Sequence, residues 1–209
     1  MTVHVDGEDV VLHAGDSAAL AAGIEHNEAC EGDVALMVGR RDVAYTLERL
    51  AADSRAAMDV DAGPAGRDEL RKCIEKACAD PAFVEQVFGD NEEERLPIYE
   101  DERHGFTILA HVMHGPRESM PHDHGASWAI YGQAQGVTTM TDWEKVEDAK
   151  GDEPGVVVPA KVYEMTQGVA YLYNEGDLHS PSRAETTRLI RVEGKDINSV
   201  KRDAYVAKL

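Results

Sequence analysis

The sequence is short of cysteine: Cys30, Cys73 and Cys78 are the three among 209 residues, and no two stand in a CxxC pair. An odd count without that spacing argues for reduced thiols in a cytoplasmic protein. Long apolar runs are also missing. No stretch of 18 apolar residues occurs, and the first ten, "MTVHVDGEDV", form neither a basic nor an apolar leader region, so neither a membrane span nor a secretory signal is expected. Basic residues are scarce: 21 Lys and Arg stand against 40 Asp and Glu, for a net charge of −19. Such a surface repels phosphate backbones and anionic membranes, which excludes nucleic acid and membrane as expected partners. An anionic small molecule would need a local cationic site inside a pocket.

What is present is enough for a core. The chain is 43% hydrophobic and long enough for one domain with additional elements. Three regions differ in character. Residues 1–39 alternate apolar and polar residues between Gly-Asp punctuation, a β pattern. Residues 40–88 carry Val43, Leu47 and Leu50, then Leu70, Ile74 and Ala77, at helical spacing, with a loop at "DVDAGPAG" between them. Asp80-Pro81 suits the start of a further short helix, since proline is tolerated in a first turn. Residues 89–209 return to strands: "FTILAHVMH", "SWAIYGQ", "GVVVPAKVYEM", "GVAYLYN" and "TTRLIRVEG". A helical segment followed by many short strands predicts a mainly β protein, a sandwich or barrel with a helical preface.

Within the strand-rich region, "PHDHG" places His122 and His124 two residues apart. In extended chain, positions i and i+2 share a face, so both imidazoles can meet one ion. Farther on, Gly168, Asn174, Gly176 and His179 are spaced G-x5-N-x-G-x2-H. Together the two stretches resemble the two sequence motifs of the cupin superfamily, whose members are double-stranded β-helix barrels with a metal in the mouth. The resemblance covers roughly residues 66–209. Cupins carry a glutamate four or five residues after the second histidine, where this chain has Trp128 and Ala129. The resemblance therefore implies a site of three histidines, His122, His124 and His179.

Three neutral ligands leave the full charge on the ion and favour an anionic substrate, followed by dioxygen. Among cupins, this ligand set resembles that of the cysteine dioxygenase-like thiol dioxygenases, which implies Fe(II), with Zn, Ni or Mn as other ions suited to imidazole. By the same resemblance, Arg95 stands where those enzymes grip a substrate carboxylate. Two departures are visible. Ala129 stands where animal cysteine dioxygenases have a cross-linked cysteine, and no Ser-x-His-x-Tyr follows His179. Tyr131 and Tyr173 are the further candidates for touching substrate. A two-residue period from His124 would send Trp128 and Ile130 inward, whereas a bulge would send Ala129, Tyr131 and Gln133 inward. His111 and His114 are expected to pack near the site, and His104 to be a solvated turn residue. Arg183, Arg188 and Arg191 are further cations. On one strand, Arg188 shares a face with Ile190 and Arg191 with Leu189, so at most one of that pair points inward.

Residues 15–26 echo the second motif. Gly15, Ala21, Gly23 and His26 repeat its spacing without a preceding His-x-His, as in the tail of a degenerate cupin barrel. The expectation is thus a cytoplasmic Fe(II) cupin dioxygenase acting on a small anionic substrate, first a thiol carboxylate, and by the resemblance a homodimer. The alternatives are a non-redox metal enzyme (isomerase, lyase or hydrolase) and a non-enzymatic small-molecule-binding cupin.

Overall fold

The computed structural model describes residues 1–5, 8–13, 16, 26–29 and 44–208. The chain divides into two compact units, residues 1–42 and 43–209. In the first, β1 (Thr2–Val5) pairs antiparallel with β2 (Glu8–Val11) on one side and β3 (His26–Ala29) on the other. Gly15, Ala21 and Gly23 of the motif echo lie outside the described residues, as does Val43, the first residue of the expected helical stripe.

The second unit begins with three helices, α1 (Leu47–Val60), α2 (Pro64–Ala79) and α3 (Pro81–Phe88). Thr46 caps α1 by accepting from the Arg49 N–H, and Asp80 caps α3 by accepting from the Ala82 N–H at 2.8 Å. Pro64 and Pro81 occupy first turns, where no N–H partner is lost. Leu50, Leu70, Ile74, Ala77 and Phe83 are fully buried. Burial of each large side chain among them contributes about 1.5–3 kcal/mol.

Ten strands follow. They are β4 (Leu96–Glu100), β5 (Thr107–Met113), β6 (Arg117–Glu118), β7 (Ala129–Gln135), β8 (Thr138–Glu147), β9 (Gly155–Met165), β10 (Ala170–Tyr173), β11 (His179–Arg183), β12 (Thr187–Glu193) and β13 (Tyr205–Ala207). They form two five-stranded sheets, ordered β10-β7-β12-β5-β4 and β13-β9-β8-β11-β6. All pairings are antiparallel except β13 with β9. From β5 onward successive strands alternate between the sheets, except that β8 and β9 form a hairpin within the second, the jelly-roll arrangement of a double-stranded β-helix.

The strands β5, β7, β10 and β12 of the first sheet are two-faced. Ile108, Ala110, Val112, Ile130, Ala134, Ile190 and Val192 pack with Leu70, Ile74 and Phe83 of the helices. The opposite face contributes Ala129, Tyr131, Tyr173 and Leu189 to a second core, closed from the other sheet by Met140 and Met165. Helices therefore seal one face of the first sheet, and the space between the sheets holds the polar residues. Among the described residues, no helix is long and apolar enough to cross a membrane. Cys73 and Cys78 are buried free thiols on α2.

Candidate metal centre

His179 opens β11, and His122 lies on the segment leading to β7. Their main chains form a single antiparallel bridge: the His122 N–H donates to the His179 carbonyl at 3.0 Å, and the His179 N–H to the His122 carbonyl at 2.9 Å. His124 follows two residues later and is 1% exposed, while His179 is 0% exposed. The three rings converge, with centroids 4.7 Å (His122–His179), 4.8 Å (His124–His179) and 5.9 Å (His122–His124) apart. One nitrogen from each lies within 4.8 Å of the others.

The rings are also oriented. Nδ1 of His122 is 2.9 Å from the Met120 carbonyl, and Nδ1 of His179 is 3.1 Å from the Asp177 carbonyl. A carbonyl only accepts, so in both rings the proton sits on Nδ1 and Nε2 keeps its lone pair. Nε2 of His179 is buried with no hydrogen-bond partner among the described residues, as expected of a ligand nitrogen facing an ion. Burial holds all three rings neutral. It pushes His124 down to about 2, with His179 and His122 adding to the effect, and His179 to about 3, with His122 adding, and lowers His122 as well. Neutral imidazoles, two of them with tautomers fixed by carbonyls, are a donor set that first-row divalent ions take, so the residues fit a metal.

Tyr131 and Tyr173 both join this group. The Tyr131 hydroxyl is 3.1 Å from His124 Nε2, and its ring is 5.6 Å from those of Tyr173 and His179. The Tyr173 ring stacks on His179 at 3.8 Å. Its hydroxyl is 2.7 Å from that of Tyr163, which donates to Asp142 Oδ1 at 2.8 Å. With the Tyr163 proton committed to Asp142, Tyr173 is the donor to Tyr163. Burial and the neighbouring hydroxyl raise the Tyr173 phenol well above its ordinary range, so it stays protonated.

The cation beside the histidines is Arg191. Its guanidinium stands 4.9 Å over the Tyr131 ring, it is 13% exposed, and its Nε lies 3.1 Å from Glu193 Oε1. Its charge adds to the lowering of His122, His124 and His179. Arg95, immediately before β4, has protein carboxylates as partners instead, Glu193 at 2.8 Å and Asp196 at 3.6 Å. It meets the site through Glu193, which it shares with Arg191. The pairing of Leu189 and Arg191 on one strand face supplied the signal for Arg191, and the structure turns that face toward Tyr131. Arg188 points the other way, to Glu92 at 2.8 Å.

Several expectations about neighbours resolve here. Ala129, Tyr131 and Gln133 face the interior, while Trp128 and Ile130 pack under the helices. A turn after His124 resets the alternation: Gly125 has φ +56°, and the Ser127 N–H donates back to the His124 carbonyl at 3.1 Å. His111 is buried on the inner face and His114 contacts the Glu92 carbonyl at 3.1 Å. His104 lies in a turn as expected but is not solvated: its side chain is largely buried and its Nε2 lies 2.7 Å from Asp59 of α1.

No known family model matches the chain, and no curated protein matches it. Solved structures of similar fold include the Cnp3 cupin domain of Schizosaccharomyces pombe, at 14% identity and TM-score 0.36, covering 49% of this chain and 64% of that one. A cupin-2 domain protein of Shewanella frigidimarina is 13% identical with TM-score 0.35, covering 51% of this chain and 84% of its own. Hydroquinone 1,2-dioxygenase PnpCD, solved with Cd2+ and 4-hydroxybenzonitrile, is 14% identical with TM-score 0.40, covering 60% of this chain and 75% of its own. The chain thus spans just under two thirds of the length of the Cnp3 domain. At these identities the chemistry rests on this chain's own residues.

Proposed function

We propose that the protein is a metal-dependent dioxygenase of small anionic molecules, with His122, His124 and His179 holding Fe(II). The observation that carries this reading is the convergence of three neutral imidazole nitrogens within 4.8 Å, with no carboxylate in the group. A bound ferrous ion supplies a point where an anionic substrate and dioxygen can react together; Zn, Ni and Mn also suit the donor set.

The chain's own residues supply binding and orientation. Arg191, fixed over Tyr131 and held by Glu193, takes the substrate's carboxylate. Arg95 positions Arg191 by sharing Glu193, and does not itself touch the substrate. The Tyr131 hydroxyl, 3.1 Å from His124 Nε2, can donate to a polar atom of the bound molecule. Tyr173 keeps the His179 ring in place by stacking, and Met140, Met165 and Leu189 keep water from the inner wall. A thiol carboxylate is the first substrate class, because its two anionic ends suit an ion and an arginine. The test is oxygen uptake by the Fe(II)-loaded protein on cysteine, cysteamine, 3-mercaptopropionate and small β-diketones. Uptake on one of these, absent in His179→Ala, is the expected result; no uptake on any of them overturns the dioxygenase reading.

One feature favours a second reading. The chain Tyr173–Tyr163–Asp142 links the metal-facing side to a half-exposed carboxylate, which suits proton transfer in a non-redox isomerase or lyase using Zn, Ni or Mn.

A further inference from the structure

β11 begins with His179 and ends with Arg183. Four residues apart on one strand, the two share the inner face, with Cα atoms about 13 Å apart. At the Arg183 end, the connections β7–β8 and β11–β12 close the barrel, on the far side from the three histidines.

Arg183 is unusual there. It is 7% exposed, and its Nε has no hydrogen-bond partner among the described residues. No described carboxylate lies within ion-pair distance of it; the acid that acts on it is the exposed Glu94, at longer range. Its partner across the β6–β11 register is another cation, Arg117. Like charges set opposite each other repel, and a buried cation without a partner is costly. Both are anomalous in a chain whose net charge is −19.

Other groups that the strands turn to the same inner face are equally unpartnered. His111 Nε2, Thr138 Oγ1, Thr187 Oγ1 and Gln133 Oε1 are all buried without partners among the described residues. Their placement is set by the strands. Leu189 pairs with His111 on one side and Gln133 on the other, so these two stand about 10 Å apart on one inner row. Thr187 faces inward beside the inner-core residue Met113. Thr138 opens β8 next to Thr139, the partner of Ser182. Burial and the charges of Arg191, Arg95 and Arg183 keep His111 neutral.

We propose that this end of the barrel is a second ligand site, in which Arg183 receives a small oxyanion, a carboxylate or a phosphate. The hydroxyls of Thr138 and Thr187 donate to it as well. Gln133 gives its amide N–H to the Gln135 carbonyl at 2.8 Å, so its free Oε1 accepts the remaining proton of a hydrogen phosphate or a hydroxy acid. The exposed Arg117 marks the approach from solvent. The site uses none of the three metal-facing histidines and stands apart from the dioxygenase reading.

The oxyanion has two sources, a free ion or an organic acid, and the probes separate them. Metal-free protein, kept in chelator at ionic strength matched with chloride, is titrated with inorganic phosphate and, separately, with malate. Unfolding temperature and binding heat are followed for the full chain, Arg183→Met, Arg183→Lys and His179→Ala. The expected result is a saturable rise in unfolding temperature with at least one probe, retained in His179→Ala and weakened at least tenfold in Arg183→Met. Phosphate alone acting identifies a free-ion site, and malate alone an organic-acid site. If Arg183→Met does not fold, Arg183→Lys, which keeps the charge but not the fork geometry, carries the comparison with a smaller loss of affinity. No rise with either probe, or an equal rise in the Arg183 variants, overturns the proposal.

Discussion

His122 and His179 exchange both main-chain hydrogen bonds, at 3.0 and 2.9 Å. Two residues of the candidate metal group, 57 positions apart in the numbering, are thus joined as one antiparallel pair, with their rings 4.7 Å apart. Because each Nδ1 also meets a carbonyl, the backbone fixes which nitrogens of the two rings face each other.

Arg191 is the anion anchor in this account, and Arg95 acts through it. Arg191→Gln removes a charge-assisted contact worth about 1.5–3 kcal/mol, so KM for the carboxylate substrate should rise roughly 10- to 150-fold with kcat less affected. Arg95→Gln leaves the guanidinium over Tyr131 and should cost under about tenfold on the same scale. Steady-state kinetics of both variants decides the order; an equal or larger effect at Arg95 contradicts it.

Gly132 marks where α2 meets the first sheet. A Cβ there would come 2.3 Å from Ile74 Cγ2 and 3.0 Å from Cys78 Sγ, both fully buried. Overpacking of this kind costs about 1–3 kcal/mol. Thermal unfolding of Gly132→Ala should therefore begin several degrees lower, at about 2–4 °C per kcal/mol for a chain of this size. An unchanged unfolding temperature would show that the helices do not press on the sheet at this point.

His111 gives the stability a pH dependence. Burial, followed by the charges of Arg191, Arg95 and Arg183, lowers it from an ordinary value of 6.5 to about 3. Between those values the unfolded chain binds a proton that the folded one refuses, so the folded state is favoured above pH 6.5 and loses ground as pH falls toward 3. His111→Gln removes this share. In metal-free protein, the stability of wild type relative to the variant should fall by about 1–2 kcal/mol between pH 7 and 5. Denaturant titrations at the two pH values measure it, and a difference that does not change with pH contradicts the burial argument.

Much of this was legible from residues. Leu47, Leu50, Leu70, Ile74 and Ala77 announced the helices, and the spacing of His122, His124 and His179 announced a group of three histidines that converge. Other features were hidden for physical reasons. β11 reads "HSPSR", with proline and two serines, and is a strand only because β8 and β6 pair with it. β8 carries charges along most of its second half, where Glu144 to Glu147 are exposed on both faces, so its sequence lacks an apolar alternation. The phase of β7 depended on the turn at Gly125, which local pattern alone left open. Arg95 was singled out by the resemblance to cysteine dioxygenases, but a neighbour far along the chain, Glu193, takes its charge. Arg191 becomes visible only once the strand face it shares with Leu189 is turned toward Tyr131.

The central claim is that His122, His124 and His179 bind one transition-metal ion. Its most direct test is the metal content, by elemental analysis, of wild type and His179→Ala after Fe(II) loading and removal of free ion. The account predicts roughly one ion per chain in wild type and less than about a tenth of that in the variant, with the variant still folded. A wild type that retains no metal, or a variant that retains as much, would contradict it.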